Sequence, residues 1–205
     1  MLTAFTAGLL LITISELGDK TFFIAAILAM RHPRRWVFLG AVLALAAMTI
    51  ISVLTGQAAG LLPDHYVKAA EVTLFLGFGL KLLFDASHMS GKETLEDEQK
   101  EAAETLEESG GLPALISPWS IMTKAFSLTF LAEWGDRTQL ATITLAAGNN
   151  PFGITIGATL GHTICAAIAV VCGGMLAGRL SEKTLTLIGG GLFILFGLVA
   201  AINIA

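Results

Sequence analysis

The chain alternates long apolar runs with short polar breaks, and the runs have the length of membrane-crossing helices. A crossing helix needs about 20 predominantly apolar residues. That ruler marks six segments, at about 3–30, 36–60, 67–86, 118–147, 152–178 and 184–204. "RHPRR" (31–35) closes the first and "LLPDH" (61–65) the second. Ser117-Pro118 and Asn150-Pro151 read as N-caps followed by proline at the first helical position. The segments at 3–30 and 118–147 exceed a straight crossing, which predicts tilt or a break near Gly18 and Gly135. The expected fold is all-α and integral to a membrane, with six transmembrane helices.

Composition strengthens this reading. The chain is 55% hydrophobic and 14% charged, against about 25% charged in soluble domains. Eight of the 16 acids fall within 92–108 (Glu93, Glu96, Asp97, Glu98, Glu101, Glu104, Glu107, Glu108), so the remainder is nearly continuous apolar sequence. No basic patch suits nucleic acid. Cys165 and Cys172 are seven apart in one apolar run, too far along a helix for a disulfide, and read as packing residues. The N-terminus lacks the basic n-region of a signal peptide, so the first segment is expected to be a retained span. If the N-terminus lies outside, the inner loops hold Arg31, Arg34, Arg35, Lys92, Lys100, Arg179 and Lys183, against Lys68 alone outside. Both termini are therefore expected outside the cytoplasm.

A shift of 117 superposes Glu16 on Glu133, Gly18 on Gly135, Asp19 on Asp136, Lys20 on Arg137, Thr21 on Thr138, Gly40 on Gly157 and Ala41 on Ala158. After a gap of four, "LFLGFGLKLLF" (74–84) resembles "LIGGGLFILFG" (187–197). The chain thus reads as two related three-helix halves, 1–86 and 118–205, joined by an acidic linker at 87–117. Three spans is an odd number, so the halves enter the membrane from opposite sides. This is the inverted-topology repeat of many secondary transporters, with the site near the midplane. Gly40/Ala44, Gly56/Gly60, Gly157/Gly161 and Gly174/Gly178 are spaced for close helix packing. The linker, with Leu95, Gln99, Ala102 and Leu106 at helical spacing, reads as a solvated, surface-lying or partly disordered cytoplasmic connector, weighed against a role in collecting cations at the mouth.

The apolar pattern is violated twice, by "ELGDKT" (16–21) and "EWGDRT" (133–138). An ionisable group at membrane depth costs at least about 2.5–3.5 kcal/mol and marks function by default. On a continuous helix Glu16 and Asp19 share a face and Glu16 precedes Lys20 by four; Glu133, Asp136 and Arg137 repeat this. Four carboxylates against two bases leave two surplus negative charges, which hydrocarbon does not tolerate. A divalent cation or two protons neutralise them, and alternating between the two is cation–proton exchange.

Glu16, Asp19, Glu133 and Asp136 are thus candidate metal-binding and proton-carrying groups, with Lys20 and Arg137 balancing charge. Such oxygen ligands suit hard ions such as Ca²⁺, Mn²⁺ and Mg²⁺, and no Cys or His pair accompanies the motifs. Ser15, Thr21, Thr138 and Gln139 are candidate helpers; Gly18 and Gly135 permit local unwinding that presents carbonyls; His162 is a candidate proton relay, weighed against a packing histidine. Lipid, divalent ions and protons are the expected partners, with no cofactor. No H-E-x-x-H or G-x-S-x-G element suggests an enzyme. An exporter of small organic solutes, with Lys20 and Arg137 as carboxylate partners, stays open on these residues alone.

The two motifs resemble the duplicated E-x-G-D-[KR]-[TS] signature of the Gdt-type cation–proton exchangers, a family with Golgi, chloroplast and bacterial members. The resemblance spans both halves, with Glu16, Gly18, Asp19 and Lys20 matching the first motif and Glu133, Gly135, Asp136 and Arg137 the second. It implies Mn²⁺ or Ca²⁺ as substrate, moved out of the cytoplasm against protons. The small size resembles a bacterial or cyanobacterial member, placed in an inner, plasma or thylakoid membrane.

Overall fold

Two of the predicted spans are not continuous helices. The first is cut into α1 (Leu2–Glu16) and α2 (Lys20–Arg31), and the fourth into α6 (Pro118–Ala132) and α7 (Arg137–Gly148). The cause is local. Gly18 and Gly135 hold φ of +82° and +84°, a conformation that ends a right-handed helix and that glycine adopts without a Cβ clash. Asp19 and Asp136 then restart the chain as N-caps of α2 and α7. The expectation that each motif rides one helix face is therefore corrected: its residues straddle a break.

The structure is a computed structural model that describes residues 1–89, 96–109, 117–176 and 181–202. The other helices are α3 (Arg34–Ala59), α4 (Asp64–His88), α5 (Glu96–Glu108), α8 (Pro151–Leu176) and α9 (Glu182–Ile202). Gly178 and Arg179, and with them part of the Gly174/Gly178 pair and of the inner-loop charge, lie outside the described residues. Ser117 caps α6 by accepting from the Ser120 N–H at 3.1 Å, and Asn150 accepts from the Gly153 N–H at 2.9 Å before α8. Among the described residues, α3, the Pro151–Cys172 part of α8 and the Lys183–Ile202 part of α9 are long and apolar enough to cross a membrane. Helix α4 is 25 residues long but carries Asp64, Lys68, Glu71, Lys81 and Asp85.

The helices pack as two interlocked sets. Helix α8 lies along α1, α3 along α6 and α7, and α4 along α9. Contacts recur in pairs under the shift of 117. A Cβ on Gly40 would meet the Met122 carbonyl of α6, and one on Gly157 would meet the Phe5 carbonyl of α1. Phe5 and Met122 are themselves mates under that shift. Close backbone approach at small residues supplies the packing that hydrophobicity cannot supply within lipid. Outward faces stay apolar, as lipid contact requires: Leu39, Leu43, Ile50 and Leu54 on α3, and Phe152, Ile156, Leu160 and Ile164 on α8.

Two apolar layers result. One joins Phe22, Phe23 and Leu28 of α2 to Ala41 and Leu45 of α3, Ala125 and Leu128 of α6, and Ala166 and Ala169 of α8. The other joins Leu11, Val53, Phe75, Leu145, Ile154 and Phe193. On α3 and α8 the segment between the layers carries Met48, Thr49 and Ser52 on the former and His162 on the latter. The two breaks open at this level.

Helix α5 corrects the picture of a solvated connector. Ala102 and Leu106 are buried in the first layer. Lys20 Nζ meets Glu101 Oε1 at 3.0 Å, and Lys124 Nζ donates to the Ser109 carbonyl at 2.6 Å. The flanking linker segments, 90–95 and 110–116, lie outside the described residues.

Candidate cation site

The broken helices bring their charged residues together. One carboxylate oxygen each from Glu16, Asp19 and Glu133 lies within 4.8 Å of the others. Two oxygens facing each other across a Ca²⁺ ion, at about 2.3–2.6 Å each, are separated by roughly 4.6–5.2 Å, so this spacing suits one ion. Glu16 and Glu133 are each 2% exposed.

The hydroxyls keep the repeat. Thr21 Oγ1 donates to Glu16 Oε2 at 3.3 Å, and Thr138 Oγ1 lies 3.4 Å from Glu133 Oε2, its one proton shared with Asp136. The second carboxylate oxygens, Glu16 Oε1 and Glu133 Oε1, have no hydrogen-bond partner, nor do Ser15 Oγ and His162 Nδ1. Buried polar atoms are ordinarily paired, and carboxylate oxygens left unpaired in a buried cluster suit a guest that accepts lone pairs. His162 is buried and places Nδ1 4.0 Å from Glu16 Oε2.

The aspartates and bases break the symmetry. Asp136 accepts from the Thr138 N–H at 3.1 Å and from Thr138 Oγ1 at 3.0 Å, so it caps α7 and stands beside the group of three. Asp19 makes no such cap and instead accepts from Arg137 Nη2 at 3.2 Å, across the two halves. Lys20, expected to balance charge in the cluster, faces Glu101. Lying beyond the break, it does not follow Glu16 by one helical turn. The cluster therefore sets three carboxylates, with Asp136 beside them, against the single base Arg137. Gln139 takes the Gly135 N–H at 2.7 Å and donates to Met48 Sδ at 3.0 Å, which ties the break to α3 rather than to a carboxylate.

The cluster opens beside α5. A cavity of about 190 Å³ is walled by Ser15, Gly18, Asp19, Asp85, Glu98 and Arg137. A neighbouring one of about 500 Å³ reaches Lys20, Lys81, Glu101 and Asp136. Asp85, Glu98 and Glu101 give this vestibule an acidic wall, which raises local cation concentration. Sequence reasoning weighed this role but preferred a solvated connector, because nothing in the linker's composition says where α5 docks. The inward period of Ala102 and Leu106 was its one readable signal.

A family model described as divalent cation/proton antiporter GDT1 matches residues 4–90 and 121–204. The chain belongs to the GDT1 family. A GDT1-like protein of Synechocystis sp. is 62% identical over 202 residues, covering 98% of this chain and 97% of that one. GDT1-like protein 4 of Oryza sativa subsp. japonica is 45% identical over 201 residues, covering 95% and 71%. The chloroplastic GDT1-like protein 2 of the same plant is 43% identical over 206 residues, covering 95% and 59%. No solved structure matches. As a GDT1 member, the chain is an integral membrane protein and a secondary transporter of divalent cations working against protons. It is not an enzyme, and GDT1 membership implies no resident cofactor.

Proposed function

We propose that this GDT1 protein moves Mn²⁺, Ca²⁺ or both out of the cytoplasm in exchange for protons, at a site formed by Glu16, Asp19, Glu133 and Asp136. The observation that carries this reading is the trio of buried carboxylates within 4.8 Å. An empty cluster of desolvated acids takes up protons, and a bound divalent ion expels them, so both cargoes compete for the same oxygens. Arg137 holds Asp19 in place, Thr21 and Thr138 orient the glutamates, and the N-termini of α2 and α7 point at the cluster from the two halves.

The architecture we infer is six spans in two inverted three-helix halves, 1–86 and 118–205, with 87–117 between them. The paired contacts of Gly40 with Met122 and of Gly157 with Phe5 support it, because each half supplies the other's partner. The termini are assigned to the non-cytoplasmic side and α5 to the cytoplasm, so the vestibule faces inward in this conformation. A cyanobacterial plasma or thylakoid membrane, or a bacterial inner membrane, is the setting that the similarity to the Synechocystis protein favours.

The test is transport in proteoliposomes under an imposed pH gradient, with Mn²⁺, Ca²⁺, Mg²⁺ and an amino-acid panel as cargo. Mn²⁺ or Ca²⁺ is expected to move and to dissipate the gradient, while amino acids do neither. Amino-acid flux without metal flux would replace this reading with organic-solute export.

A further inference from the structure

Next to the carboxylate cluster lie two small chambers, each of about 10 Å³, room for about one water-sized body and too little for a hydrated ion. One contains Glu16 and Thr21, the other Glu133 and Thr138, so they are mates under the shift of 117. Their walls differ in chemistry. Around Glu133 stand Thr49, Ser52, Gln139, Thr142 and His162. The corresponding positions around Glu16 are Ala166, Ala169, Phe22, Ala25 and Leu45, all buried and apolar. Thr129 is the added hydroxyl on the Glu16 side.

The hydroxyls at Glu133 are oriented. Thr49 Oγ1 donates to the Leu45 carbonyl, Ser52 Oγ to the Met48 carbonyl and Thr142 Oγ1 to the Thr138 carbonyl, each at 2.8 Å. Each has spent its single proton on its own helix, so it offers the chamber only lone pairs. Such back-bonding is common in membrane helices. Here, however, three such oxygens belong to residues that line one chamber with Glu133, whose Oε1 is buried and unpartnered. With the Gln139 amide N–H turned to Met48 Sδ, a wall this rich in acceptor oxygens suits a cation. Thr49 and Ser52 lie between Leu45 of one apolar layer and Val53 of the other, and Thr142 lies beside Ala141 and Leu145 of the layer remote from α5. The acceptor-rich chamber therefore sits between the cluster and the layer remote from α5.

We propose that the Glu133 chamber is a second coordination station, where the divalent cation, stripped of water, passes from the carboxylate cluster toward the far side, and that its mate at Glu16 carries no metal. This rests on the site reading above and adds to it a route and a one-sided division of labour. Hydroxyl and carboxylate oxygens replace the lost hydration shell along that route.

The proposal is tested with Thr49→Val, Ser52→Ala and Thr142→Val in the full chain, measuring Mn²⁺ and Ca²⁺ transport and the thermal stabilisation each ion induces. Ser52→Ala reproduces the alanine already present at Ala169, which makes it the variant safest to fold. Each is expected to slow transport by about fivefold to tenfold, the loss of one buried polar ligand, while Mn²⁺ still stabilises the protein through the cluster. Thr142→Ser keeps the oxygen and should transport faster than Thr142→Val; Cys165→Ala, on the Glu16 side, should transport like wild type. Three hydroxyl variants within about twofold of wild type, or a Thr142→Ser as slow as Thr142→Val, would overturn the station. Wild-type protein that neither Mn²⁺ nor Ca²⁺ stabilises would instead overturn the carboxylate site itself.

Discussion

Glu16→Gln and Glu133→Gln are each expected to bring divalent-cation/proton exchange below about one-hundredth of the wild-type rate. Removing one charged partner from a buried cluster costs about 3–5 kcal/mol, and about 2.8 kcal/mol is already a hundredfold. Glutamine keeps the volume of glutamate, and its carbonyl oxygen still accepts from Thr21 or Thr138, so the helices should pack as before. What is lost is a charge that binds the ion and an oxygen that carries a proton. Both glutamates are 2% exposed, so bulk water does not replace the missing ligand. Initial rates in proteoliposomes decide the matter, with melting temperature as the check on folding. Retention of half the wild-type rate by both variants would remove these groups from the mechanism.

The second large effect separates two residues that the sequence presents as equivalents. Arg137→Gln should lower transport by about tenfold or more, whereas Lys20→Gln should stay within about threefold of wild type. Arg137 Nη2 lies 3.2 Å from Asp19 Oδ1, with Asp19 only 13% exposed, and Asp19 faces Glu16 and Glu133 at ligand distance. Without the guanidinium, three acids confront one another with no base between the halves. Lys20 instead meets Glu101, which is 58% exposed, and such solvated pairs contribute about 0–1 kcal/mol. The cation-free melting temperature supplies a second readout. It should fall for Arg137→Gln and be partly restored by Mn²⁺, while Lys20→Gln melts near wild type. Equal losses of transport in the two variants would contradict the asymmetric cluster.

Much of this site was legible because charge in an apolar run has a large energetic cost, and here it is repeated at one spacing. The six apolar segments, the caps at Ser117 and Asn150 and the flexible points at Gly18 and Gly135 follow from local rules of helix termination. Side-chain direction past a glycine with positive φ does not follow from such rules. Lys20 and Arg137 occupy matching places in the sequence, yet one reaches α5 and the other crosses to Asp19. The outcome depends on which helices stand opposite, and those lie more than 80 residues away in the chain. Asp136 is diverted in the same way, because the Thr138 N–H and hydroxyl offer it a cap. The hydroxyl row of Thr49, Ser52 and Thr142 carried a readable signal as well. Alanines at the shifted positions say that the halves have diverged there, although only packing reveals that α3 and α7 share one chamber.

Proton release on metal binding tests the central claim most directly. Purified protein in weakly buffered detergent solution is titrated with Mn²⁺ or Ca²⁺ while pH is followed with an indicator. Wild-type protein should acidify the solution as metal enters, and Glu16→Gln and Glu133→Gln should release far less. Metal that binds wild-type protein without liberating protons would contradict competition of the two cargoes for one set of carboxylates.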